Sequence, residues 1–137
     1  MLPRWRRRAA AVAAARACVG TRFRPQGRVP GLGLDCIGVA VAAARGAGVV
    51  VPLLPAYALG GDHDGAVEPV LIAMGCRKVA RPRPGDVLLY APAPGQRHLA
   101  VLAGPDLVHA HAGLGRVVEG PADPAWELLG AWALPGL

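Results

Sequence analysis

The chain has 137 residues, enough for one domain with one hydrophobic core. A composition that is 53% hydrophobic and 18% charged excludes a disordered chain, and an aromatic content of 4% predicts a core of small side chains, alanine above all. The net charge of +6 rests almost wholly on arginine, with Lys78 the single lysine; this balance suits nucleic acid, acidic lipid or an anionic polymer such as cell wall. Aromatic and basic residues do not interleave beyond the start, which argues against nucleic acid.

In chain order, "MLPRWRRRAA" reads as a basic N-terminal extension over residues 1–8 with a solvated face, running into a helix predicted over 4–19 and closed by Gly20 and Thr21. Arg16 interrupts the alanine run and alanine is a strong helix former, so this start reads as a helix and no export signal is found. No apolar stretch is long and uncharged enough to span a bilayer. "RFRPQGRVPGLGL" then reads as a Pro/Gly-rich loop. Asp35 stands where an N-cap belongs, and "CIGVAVAAARGAG" predicts a second helix stopping at Gly46 or Gly48. Residues 49–65 are irregular. "AVEPVLIAMG" predicts a short helix with Pro69 in its first turn.

The pattern then changes. "DVLLYA", "HLAVLAG", "DLVHAHA" and "GRVVEG" are short β-prone runs divided by Gly or Pro, predicting an antiparallel meander, and "ELLGAWALP" adds a last strand. Helices first and strands afterwards predict an α+β domain with the helices packed on one face of the sheet.

Cys18, Cys36 and Cys76 form no CxxC pair and fit free thiols. Cys36 falls in the first turn of the second helix, where unpaired N–H groups and the helix dipole favour thiolate and can hold an oxyanion. A nucleophilic cysteine needs a base with its own orienting group. His98 opens one strand and His109 lies on the next, so antiparallel pairing brings them together as base and orienter. Alternatively, His98, His109 and His111 form a metal site, at the expense of any role for Cys36. "GDHDG" at 61–65 reads as a surface turn. Asp86 organises the turn before its strand, Glu119 is an exposed residue, and Trp5, Trp126, Trp132, Cys18 and Cys76 are packing residues.

"LDCIGVA", "RPGDVLLY", "RHLAVL" and "LVHAHA", in that order, resemble the NlpC family of cell-wall cysteine peptidases. "GTRFRPQG" is similar to that family's segment upstream of the cysteine, so the resemblance covers about residues 8–135. It implies a papain-like core in a single domain over 1–137, with Cys36 as nucleophile, His98 as base and His109 as orienting residue. It also places Phe23, Asp35 and Ile37 beside the substrate; Phe23 stands where many members have tyrosine and Ile37 where many have serine.

The implied reaction is hydrolysis of an amide in peptidoglycan stem peptides, commonly D-glutamyl to diamino acid, with no cofactor and no metal. "DC-x-G" before an apolar helix, the late "VVEG" and "WALPG" resemble the short phage-tail and gene-transfer-particle subgroup. That resemblance implies tail proteins as partners and delivery to the wall in a particle. The competing readings are a structural or wall-binding module with a vestigial triad, and a related thiol acyltransferase.

Overall fold

Alanine-rich sequence beginning after Pro3, whose extended backbone serves as N-cap, forms helix α1 (Arg4–Ala17) in the computed structural model, which describes residues 2–55 and 67–137. The "GDHDG" segment lies outside the described residues. Arg8, Ala11, Val12 and Ala15 make one buried stripe at helical spacing. Small residues here let the second helix approach closely: a Cβ at Gly46 would meet Ala14 Cβ at 2.4 Å.

The segment read as a loop contains a two-stranded hairpin, β1 (Arg28–Val29) and β2 (Gly33–Leu34). Helix α2 (Cys36–Gly46) follows at once and is buried along almost its whole length. It packs between α1 and the sheet, so its hydrophobicity runs around the helix instead of along one stripe. Helix α3 (Val67–Ala73) carries Pro69 in its first turn, where the missing N–H costs nothing.

Strands β3 (Arg77–Val79), β4 (Val87–Ala91), β5 (His98–Leu102), β6 (Leu107–His111), β7 (Arg116–Gly120) and β8 (Glu127–Ala133) form one sheet in the order β3-β8-β4-β5-β6-β7. The meander β4 to β7 is as expected, and every pairing is antiparallel. The last strand does not extend the meander. It returns to the far side of β4, with a register shift between Leu89 and Tyr90, and β3 closes the edge beyond it.

One sheet face packs on the helices through Val87, Leu89, Leu99, Val101, Val108 and Val117. The other collects Leu88, Tyr90, Ala100, Leu107 and Ala131 under Trp126. Cys18 and Cys76 sit in the helical core. The architecture is α+β, with helices packed on a six-stranded antiparallel sheet.

The basic start is not an extension. Arg4 to Arg8 are the first residues of α1, and Arg8 is buried, its Nη1 2.8 Å from Asp86 Oδ1. Arg8 Nη2 also donates to the Leu137 main-chain oxygen at 3.0 Å, and Arg7 Nε to that of Ala47 at 3.0 Å. Asp86 organises its turn as expected, accepting the Arg83 N–H at 2.8 Å. Glu119 is more than an exposed residue, since it pairs with Arg16 at 3.1 Å. Trp5 does not pack inside: it is 67% exposed, with the Arg6 guanidinium 5.2 Å from its ring centre.

Candidate active site

Asp35 builds the site from its helix end. Its carboxylate accepts the Gly38 N–H at 2.8 Å as an N-cap, accepts the Gln26 N–H at 2.9 Å, and pairs with Arg28 at 3.0 Å. These contacts hold the hairpin loop against the first turn of α2. The approach is so close that a Cβ on Gly38 would lie 2.3 Å from the Gly27 carbonyl oxygen. Gly38 N–H is thereby occupied, whereas the N–H groups of Cys36 and Ile37 face the Cys36 sulfur, as does the N–H of Leu99 on β5. The sulfur therefore lies against the backbone one residue beyond His98.

His98 opens β5 opposite Tyr90, and its Nε2 lies 2.8 Å from His109 Nδ1 on β6. With Nε2 engaged, Nδ1 is the nitrogen of His98 left to take a proton. If Nδ1 is to act as a base, Nε2 must carry the hydrogen and donate it to His109, which fixes the tautomers of both rings. Trp126, just before β8, completes the cluster with ring centres 5.0 Å from His98 and 5.7 Å from His109. Sequence reasoning assigned Trp126 to packing, and only the return of β8 beside β4 brings it here.

A cavity of about 310 Å³ opens beside this cluster, lined by Phe23, Arg97, His98, Ala110, His111 and Trp126 among others. Phe23 lines this cavity, whereas Asp35 and Ile37 are both 0% exposed and do not. Asp35 is occupied as a cap and Ile37 is core, so their influence on substrate passes through the position of Cys36. Cys36 itself is 1% exposed and is absent from the cavity lining.

The electrostatics correct one expectation. Burial, reinforced by the Asp35 charge, pushes the Cys36 thiol up to about 12, although the N–H groups of Leu99, Ile37 and Cys36 oppose this. The helix start alone favours thiolate; the buried site favours thiol. His98 is lowered to about 3 by burial and by the neighbouring His109 and His111, and His109 to about 4 by burial and His111. At neutral pH the Cys36 thiol and the His98 and His109 imidazoles are therefore all neutral.

The three-histidine metal reading meets an obstacle of geometry. His98 Nε2 and His109 Nδ1 face each other in a hydrogen bond, and His111 Nδ1 accepts the Leu114 N–H at 3.1 Å. Among the described residues, no group of three His, Cys, Asp or Glu is arranged to hold a metal ion.

No family model matches the sequence, and no curated protein matches it. Solved structures do. NlpC2 from Trichomonas vaginalis aligns at TM-score 0.69 with 13% identity, over 93% of this chain, which spans 47% of that longer protein. The NlpC/p60 domain of the peptidoglycan hydrolase SagA aligns at TM-score 0.63 with 25% identity, over 93% of this chain and 98% of that domain. RipD from Mycobacterium tuberculosis, described as a non-catalytic NlpC/p60 domain protein adapted to peptidoglycan binding, aligns at TM-score 0.62 with 19% identity, over 96% of this chain and 98% of that one. The helices packed on a six-stranded antiparallel sheet match the papain-like fold of the NlpC/p60 domains.

Proposed function

We propose that the chain is a cysteine peptidase that hydrolyses an amide bond in peptidoglycan stem peptides. The observation that carries this reading is the 2.8 Å contact between His98 Nε2 and His109 Nδ1, next to a helix-start cysteine whose sulfur meets the Leu99 N–H. Cys36 gives its proton to His98 Nδ1 as the sulfur attacks the carbonyl carbon. The oxyanion is held by the N–H groups of Cys36 and Ile37, which the N-cap leaves available. His98 passes its proton to the leaving amine, then takes one from water to release the acyl group from sulfur. His109 accepts from His98 throughout and keeps its ring in place.

The bond is D-glutamyl to diamino acid, and the domain reaches the wall as part of a phage-tail or tail-like particle; resemblance of sequence supports both. Arg4 and Arg6, exposed on the first turn of α1, are the residues suited to docking there. Their replacement by serine would abolish assembly without touching the core.

A second reading is a wall-binding module without catalysis. The burial of Cys36 favours it, and RipD shows that the fold supports such a role. The deciding test incubates the protein and its Cys36→Ala variant with peptidoglycan and identifies the fragments by mass spectrometry. New amine ends from the parent alone establish the peptidase and name the bond. Retention on the wall without cleavage supports the binding module, and equal cleavage by both proteins removes Cys36 from the mechanism.

A further inference from the structure

His111 shares the cavity with His98 but takes no part in the proton relay, and the turn between β6 and β7 holds both its backbone and its ring. Gly115 N–H donates to the His111 main-chain carbonyl at 2.8 Å, and Leu114 N–H donates to the ring Nδ1 at 3.1 Å. Gly113 packs under the ring, where a Cβ would meet His111 Cε1 at 3.0 Å. The same turn anchors the opposite wall, since Phe23 N–H donates to the Gly115 carbonyl at 2.8 Å.

Because Nδ1 accepts a hydrogen bond, the neutral ring must carry its hydrogen on Nε2. The cavity around it is largely apolar, with Phe23, Ala110, Ala112 and Trp126 in its walls. A positioned N–H donor among apolar walls fixes the orientation of a polar ligand. We propose that His111 is a substrate-binding residue of this site, its Nε2–H donating a hydrogen bond to a carbonyl oxygen of the peptide held beside His98. This rests on the reading of the cavity as a stem-peptide site, whether or not the peptide is then cut.

The test measures binding in a Cys36→Ala background, so that catalysis does not enter. The probe is the tripeptide L-alanyl-γ-D-glutamyl-diaminopimelate, titrated by calorimetry. His111→Phe keeps an aromatic ring against Trp126 and removes the donor, and weakens binding by about tenfold to a hundredfold. His111→Gln, which returns an N–H near the Nε2 position, recovers most of that loss. If the phenylalanine variant misfolds, Gly113→Ala displaces the ring without altering it and shows the same weakening.

Equal affinity of parent and His111→Phe overturns the proposal. So does equal weakening by phenylalanine and glutamine, which would show that only packing matters. Failure of the Cys36→Ala parent to bind the tripeptide also overturns it; cleavage of peptidoglycan by the protein with intact Cys36 would then leave the peptidase reading standing alone.

Discussion

The buried pair between Arg8 and Asp86 gives the sharpest prediction about stability. Asp86 is 1% exposed at its side chain, Arg8 10%, and their 2.8 Å contact is joined by Arg8 bonds to the main-chain oxygens of Pro84 at 3.1 Å and Leu137 at 3.0 Å. Changing Arg8 to Met keeps the apolar stem but leaves the buried Asp86 carboxylate, among the described residues, with only the Arg83 N–H for company. Removing one partner of such a pair costs about 3–5 kcal/mol. The buried Arg8 Nε has no partner among the described residues, which places the expected loss near the lower end, about 3 kcal/mol. Against a usual total of about 5–15 kcal/mol, that is a large fraction of the fold's stability.

Urea unfolding followed by circular dichroism measures it. The double variant Arg8→Met with Asp86→Leu should recover much of the loss, because no charge is then left buried. A loss under about 1 kcal/mol for Arg8→Met, or strict additivity in the double variant, would refute the reasoning. The pair also changes how particle docking must be tested. Deleting residues 1–8 removes Arg8 and part of α1, so failure of assembly would report a weakened fold; point changes at Arg4 and Arg6 avoid this.

Stability should depend on pH in both directions. His98 and His109, lowered to about 3 and about 4 in the folded protein against about 6.5 when unfolded, leave only the unfolded chain to take up these protons, so stability falls as pH drops below about 6.5, by up to about 1.4 kcal/mol per unit for each ring. Cys36, near 12 native and near 9 unfolded, makes stability fall as pH rises from 9 toward 12. Melting temperature against pH should therefore show a plateau between about 6.5 and 9, and Cys36→Ala should soften the alkaline side; an acid limb starting only below about pH 5 would contradict the His98 assignment. Asp35→Asn keeps an N-cap acceptor but removes the charge that helps hold the thiol protonated, so Cys36 should react faster with iodoacetamide at pH 9, at a cost of roughly 1–2 kcal/mol from the lost pairing with Arg28. Gly38→Ala places a Cβ against the Gly27 carbonyl and should cost about 3 kcal/mol or more by denaturant unfolding; a change below about 1 kcal/mol would show that the loop yields easily.

The legible parts of this molecule were those governed by local rules. Asp35 announces a helix start because an N-cap acts within three residues. His98 and His109 announce a pair because a short turn between two strands fixes their proximity. The hairpin β1–β2 escaped notice because its strands are two residues long and rich in turn formers, and β3 because "RKV" is a short polar edge strand. The return of β8 to β4 is a choice of partner made by the whole sheet, and with it came the placement of Trp126. The charge state of Cys36 was misread for the same reason. The helix end is local, but the burial that outweighs it comes from the packed fold around it, with Leu99 of the sheet against the sulfur. Likewise the group that neutralises Arg8 lies 78 positions further along the chain.

The clasp between α1 and residues 135–137 has a consequence for how the chain acquires its structure. Arg8 and the oxygen it holds on Leu137 are 129 positions apart, so during synthesis the first helix must wait for nearly everything after it before its buried arginine finds its partners. Contacts that span so much chain form slowly, because a long loop must close first. Until those last residues arrive, Arg8 lacks one of the oxygens that hold it, so the packing of α1 against α2 is among the last parts of the fold to be secured.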